Sequence, residues 1–147
     1  MSDQLQTILD TQGRCDCGAA TISVKGRIVS MFQCACENCQ RSTGSGHSSV
    51  VLFEADAVRT TGATKSYSRS ADSDATFTRH FCPECGGTVH AQSSRAPGFR
   101  IIPIGVFAGN NAWFTPNQLI FARSEQAWDL IADHLPRHET YRQDNRV

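Results

Sequence analysis

The sequence has no surplus of charge. Its 147 residues carry 14 Lys plus Arg against 14 Asp plus Glu, a formal net charge of zero. A chain without a basic excess offers little to a phosphate backbone, which disfavours a nucleic-acid role driven by electrostatics. The same lack of polybasic runs argues against a membrane surface. Long apolar runs are missing too, since nothing approaches the ~18 residues of a membrane span. The polar opening Met1–Gln12 lacks the charged-then-apolar order of a signal peptide. These absences lead to the expectation of a soluble cytoplasmic protein. Repeats, low-complexity tracts and linkers are also absent, and the length suits a single domain over residues 1–147 with its core at about 13–137.

What apolar pattern there is comes in short alternating or β-branched stretches. Thr21–Val24, Ile28–Phe32, Ser48–Phe53, Thr76–Phe81, Thr88–Ala91 and Phe99–Phe107 read as six or so strands separated by Gly, Ser, Asp and Asn turns. Pro103 suggests an edge or a bulge in the last of these. Ser124 as a cap, Trp128, Ile131 and Leu135 at three- and four-residue steps, and Pro136 as a stop predict one C-terminal helix. The expected class is mainly β.

Against this spare background stand seven cysteines. An odd number cannot pair completely within one chain, and a reducing cytosol does not favour disulfides. The cysteines fall in tight groups, which favours metal. Cys82-Pro83-Glu84-Cys85-Gly86-Gly87 has the form of a zinc knuckle. Two intervening residues let both thiolates reach one ion, Pro83 fixes the turn and Gly86 can take a positive φ. Cys15 and Cys17, also followed by glycine, are the natural partners that complete a four-cysteine site. Cys34, Cys36 and Cys39 then remain as a claw of three thiolates with an open fourth position, the ligand count of a catalytic zinc. Two other arrangements stay open: a histidine (His47, His80 or His90) completing a second structural site, or the middle group joining Cys82 or Cys85.

The stretch Arg41–Ser49 that follows the claw is small, polar and glycine-containing. It reads either as a flexible surface loop or as a ligand-binding loop beside the metal. In the second reading Arg41, Ser42 and Gly44 offer a charge, a hydroxyl and a backbone N–H to a carboxylate or peptide group.

The order C-x-C-G, C-x-C-x-x-C, C-P-x-C-G-G resembles the glutathione-dependent formaldehyde-activating enzyme family, and is similar to the related domain of centromere protein V. Cys39-Gln40-Arg41-Ser42-Thr43-Gly44-Ser45 looks like the family's loop after the claw, and Ile120–Ser124, Trp128 and Leu135-Pro136-Arg137 look like its C-terminal segment. The resemblance implies a β-tent fold of short antiparallel sheets. It implies a structural zinc on Cys15, Cys17, Cys82 and Cys85, and a catalytic zinc on Cys34, Cys36 and Cys39. It also implies a carbon–sulfur lyase that forms S-hydroxymethylglutathione from glutathione and formaldehyde.

Two function classes follow. In the first, the chain is a zinc lyase acting on an adduct of a thiol such as glutathione with a small aldehyde. A zinc carrying three thiolates has a formal charge of −1, so its role would be to activate sulfur rather than to polarise a carbonyl. His47 and Glu37 lie near the claw as general-base candidates by proximity alone. In the second class, the chain is a non-catalytic zinc module that binds a small thiol or a protein, a reading supported by the lack of an obvious acid–base pair.

Overall fold

The structure, a computed structural model, describes residues 7–142; the first six residues of the Met1–Gln12 opening and the ends of the 1–147 domain assignment lie outside it. Among the described residues ten strands and one α-helix follow in the order β1 (Ile8–Arg14), β2 (Thr21–Arg27), β3 (Ser30–Cys34), α1 (Glu37–Thr43), β4 (Ser48–Glu54), β5 (Val58–Thr61), β6 (Lys65–Ser70), β7 (Thr76–Phe81), β8 (Thr88–Ser93), β9 (Phe99–Pro103) and β10 (Leu119–Ile120). They form a three-stranded sheet, β1-β2-β5, and a seven-stranded sheet, β10-β3-β4-β9-β8-β7-β6. The mainly β expectation holds. Pairing between these strands is antiparallel except between β10 and β3, which run parallel.

Alternation places the core. In β2, Ile22 and Val24 point inward; in β4 and β3, Val51, Phe53 and Met31 do so. These residues meet Ile102, Val106 and Phe107 in one cluster between the sheets. The other face of β3 and β4 carries Phe32, Cys34, Ser48, Val50 and Leu52, and it lines a cavity. The long apolar run at 99–107 divides at Pro103. The strand ends there, with Pro103 opposite Val50, and a 3-10 turn, Ile104–Phe107, continues into the core. Pro103 thus marks a strand terminus rather than an edge or bulge.

The predicted C-terminal helix is absent. After a 3-10 turn at Ala122–Ser124, the chain makes isolated turns, with Asp129 N–H bonded to Gln126 O and Leu135 N–H to Ala132 O. Ile131 and Leu135 are buried against Ala35 and Leu119, but Trp128 is two-thirds exposed. The spacing therefore records two anchors on a neighbouring strand, not a helical stripe. Arg137 replaces the helical ladder. It donates to the carbonyls of Ile131, Ala132 and Leu135 and forks onto the Glu125 carboxylate at 3.0 and 3.2 Å. Arg137→Ala is expected to cost about 1–2 kcal/mol in urea unfolding, from carbonyls left without donors. Arg137→Lys should recover little, since a lysine cannot fork; full recovery would refute this role. No described helix is long and apolar enough to cross a membrane.

Candidate metal centres and the clefts beside them

The structure gathers the seven cysteines into two groups. Within each, every pair of sulfurs lies within 4.8 Å: Cys15, Cys17, Cys82 and Cys85 form one, and Cys34, Cys36 and Cys39 the other. Cys82 and Cys85 stay with the first pair, and among the described residues no histidine joins the trio.

The first group sits where β1 ends and where β7 turns into β8. Gly86 takes a positive φ of 78°, which reverses the chain after Cys85 and lets its N–H reach the Cys82 carbonyl at 2.8 Å. Backbone N–H groups point at sulfur: Ala20 donates to Cys15 Sγ at 3.3 Å and Glu84 to Cys82 Sγ at 3.4 Å. Thiolates at the corners of a tetrahedron with bonds of about 2.3 Å lie about 3.8 Å apart. The sulfur of Cys17 is 3.7 Å from those of both Cys15 and Cys82. The four residues therefore fit a tetrahedral, thiolate-ligated ion in donor type and in spacing.

The trio is local. Cys34 closes β3, Cys36 caps α1 by accepting from Cys39 N–H at 3.3 Å, and Cys39 lies in that helix's first turn. The Ser48 hydroxyl donates to Cys39 Sγ at 3.2 Å. The three sulfurs cannot ionise together unaided. Hydrogen bonds to Cys36 and Cys39 push the buried Cys34 thiol well above its ordinary value, while hydrogen bonds from Cys34 and Cys39 draw Cys36 down to about 2. One sulfur then takes the charge while Cys34 keeps its proton. A bound cation removes this conflict by stabilising all three as thiolates.

Two cavities meet at Cys39 and share Asn38, Cys39, Ser48, Val50, Arg69, Phe77 and Ile101. The larger, about 520 Å³, carries Arg14, Arg41, Arg69 and Arg79 against Asp16. The other, about 230 Å³, joins an aromatic and aliphatic wall to Arg69, Asp72, Arg95 and Arg142. Arg69 and Arg79 escaped the sequence reading, although their signal is present. Lys65-Ser66-Tyr67-Ser68-Arg69-Ser70 alternates bulky residues with serine, a period of two that sets Tyr67 and Arg69 on one face of β6. Register then pairs Tyr67 with Arg79 and Arg69 with Phe77 on β7. Both guanidinium groups stack on rings, Arg69 over Phe77 at 4.7 Å and Arg79 over Tyr67 at 5.7 Å.

The stretch expected to be a loop begins inside α1. Arg41 and Ser42 lie in the helix and line the larger cavity. Gly44 is the helix C-cap, and its N–H bonds to the Gln40 carbonyl at 2.9 Å. The two proximity candidates point elsewhere. Glu37 is exposed beside Arg41, 3.8 Å away. His47 holds Asp129 at 2.7 Å through Nδ1 and Gln33 at 3.3 Å through Nε2, and it lines neither cavity. Gly46 permits that contact, because a Cβ there would meet the Asp129 carboxylate at 2.3 Å. His80 and His90 stack on each other across β7 and β8, 4.4 Å apart, and join neither sulfur group.

The chain is similar in fold to a crystal structure of a Rhodobacter sphaeroides protein, with a TM-score of 0.55 and 23% identity over 69% of this chain and 92% of that one. No curated protein matches it. The family described as glutathione-dependent formaldehyde-activating enzyme matches residues 10–124, a span that takes in all seven cysteines. By that match, the chain that gathers its cysteines in this way belongs to the glutathione-dependent formaldehyde-activating enzyme family.

Proposed function

We propose that the chain is a zinc-dependent carbon–sulfur lyase-type enzyme that joins a thiol, glutathione, to a small aldehyde. The observation that carries this reading is that Cys34, Cys36 and Cys39 line the smaller cavity while Cys39 also lines the larger, arginine-rich one. In the reaction the glutathione sulfur bonds to the aldehyde carbon, the carbonyl π bond opens, and its oxygen takes the proton that the thiol gives up. No electron is gained or lost. When bound at the trio, zinc supplies the positive charge that favours the deprotonated form of the substrate thiol.

The chain's residues do the rest. A cavity of about 520 Å³ is in the range for a small peptide ligand. Glutathione brings two carboxylates, and Arg14, Arg41 and Arg79 face the space they would fill. The Arg79 Nε–H is buried and without a hydrogen-bond partner, as a donor kept for an incoming anion would be. Ser42 adds a hydroxyl to the same wall. Ser48, by donating to Cys39 Sγ, fixes that sulfur's orientation. Asn38 lies where the two cavities join, and its amide can meet the oxygen of the adduct. Held together, thiol and aldehyde react at a much higher effective concentration than in solution. A glutathione substrate and seven free cysteines suit a reducing compartment, so the proposed location is the cytoplasm.

Exchange NMR on glutathione with labelled aldehyde tests the reading. Protein with its zinc content measured should accelerate interconversion of free aldehyde and adduct well beyond the buffer rate. A rate equal to that of buffer, at full zinc occupancy, would sink it. Arg79→Ala should weaken glutathione binding about tenfold and leave mercaptoethanol, which has no carboxylate, nearly unchanged. Equal weakening of both ligands would remove Arg79 from the anion site.

A further inference from the structure

The second cavity is too large for formaldehyde. A water molecule's share of liquid volume is about 30 Å³, and formaldehyde, with two heavy atoms, is not much bigger. The cavity measures about 230 Å³. For scale, a dry apolar cavity of about 150 Å³ accepts a benzene ring. Its wall includes Phe32, Leu52, Phe77, Phe99, Ile120 and Phe121.

The wall also carries Arg69, Asp72, Arg95 and Arg142, and the unpartnered side-chain oxygen of Gln118 on it indicates what the cavity holds. Gln118 is 3% exposed, and its Oε1 is buried without a hydrogen-bond partner. It lies two residues before Ile120, which pairs with Cys34 across β10 and β3, and its main-chain carbonyl accepts from Gln33 N–H at 3.0 Å. Alternation puts Gln118 and Ile120 on one face, so the unpartnered acceptor lies about 7 Å along the strand from the level of Cys34. An orphaned buried acceptor costs stability unless a ligand supplies the donor. The wall is also held in place at a conformational cost. Phe121 has a positive φ of 58°, uncommon for an aromatic residue, and is held by its N–H bond to Thr140 O and by the edge-to-face packing of Tyr141 on its ring at 4.9 Å.

We infer that the aldehyde half of the adduct carries an apolar group the size of an aromatic ring, with a hydrogen-bond donor at its far end, which fills this cavity and meets Gln118. This specificity rests on the proposed glutathione reading, because it uses the same sulfur group, Cys34, Cys36 and Cys39. The bond made is the same S–C bond, with the thiol proton passing to the carbonyl oxygen; only the aldehyde substituent differs.

The test uses stable thioethers, so that binding is read without turnover. S-(4-hydroxybenzyl)glutathione should bind the full-length protein at least tenfold more tightly in calorimetry than S-methylglutathione, which leaves the cavity unfilled. Gln118→Leu should abolish the preference for 4-hydroxybenzyl over plain benzyl while keeping the preference for benzyl over methyl. Ala71→Phe and Ala96→Phe each add a ring to the cavity wall and should remove the benzyl advantage while leaving glutathione affinity unchanged; either folded variant suffices. Equal affinity for the methyl and 4-hydroxybenzyl thioethers, in a protein that binds glutathione, would overturn the inference and leave the glutathione reading intact. If glutathione does not bind but 4-hydroxybenzyl alcohol shifts the NMR signals of Phe32, Phe99 and Gln118, the glutathione reading fails and the cavity's ligand class stands. If neither binds, both fall.

Discussion

Cys85→Ser should lower the melting temperature by about 10 °C or more, whereas Cys36→Ser should move it by only a few degrees. The asymmetry follows from what each group joins. Cys15 and Cys17 lie just after β1 of the three-stranded sheet, and Cys82 and Cys85 lie at the β7–β8 turn of the seven-stranded sheet. An ion held by all four ties the two sheets across 65 positions of chain. Loss of a structural metal belongs among the most destabilising single changes, on the order of 4 kcal/mol. In a chain of this length each kcal/mol moves the midpoint by roughly 2–4 °C. The trio, by contrast, spans six consecutive positions and closes almost no loop. Serine at position 36 also preserves the helix cap, because its hydroxyl can accept from Cys39 N–H as the sulfur does. Cys85 is exposed, so its loss leaves no buried void to confuse the comparison. Circular dichroism melts of both variants, with zinc content measured in parallel, give the answer. Equal losses would mean that the two groups share the structural role.

Glutathione should bind at least a hundredfold more tightly than S-methylglutathione, with the difference confined to protein whose trio is loaded with zinc. The methyl group leaves both carboxylates and both peptide bonds in place and removes only the ionisable thiol. The arginine-lined cavity would treat the two ligands alike, so the gap isolates what happens at sulfur. Cys39→Ser removes one of the three thiolates and should close most of the gap by weakening the thiol alone. Calorimetry at constant pH, with the zinc content of each sample known, measures all four affinities. Equal binding of the two ligands to zinc-loaded protein would show that sulfur does not meet the metal. Carboxylate recognition would then remain as the whole of the interaction.

The two sulfur groups were legible in the sequence because metal ligation is local at the level of pairs. The C-x-C and C-P-x-C spacings set which thiolates can share an ion before any fold is known. The family resemblance was legible for the same reason. Secondary structure was less so wherever it depends on a neighbour. β1 has no buried side chain and exists because β2 pairs with it along its whole length. α1 buries nothing either; Cys36 starts it and Gly44 ends it, without an apolar stripe to announce it. The segment after Ser124 failed in the opposite sense, since Ile131 and Leu135 have helical spacing but are anchors on Ala35 and Leu119. The cationic wall of the cleft was written in the serine alternation of β6, but assigning it to the site required the β6–β7 register that places it over Cys39.

The long separation between Cys17 and Cys82 also bears on how a growing chain assembles. The trio can close within a few residues of leaving the ribosome, because all its sulfurs come from one short segment. The four-sulfur clamp must wait for Cys85, so Cys15 and Cys17 spend the synthesis of the intervening residues as uncommitted thiols. The apolar wall completes later still, when Phe121 and Tyr141 arrive. During elongation at 5–20 residues per second this leaves an interval of several seconds in which two thiols are open to oxidation or to the wrong metal. Newly made protein is therefore most vulnerable to zinc shortage and oxidative stress before its second half has emerged, and far less so once the clamp has closed.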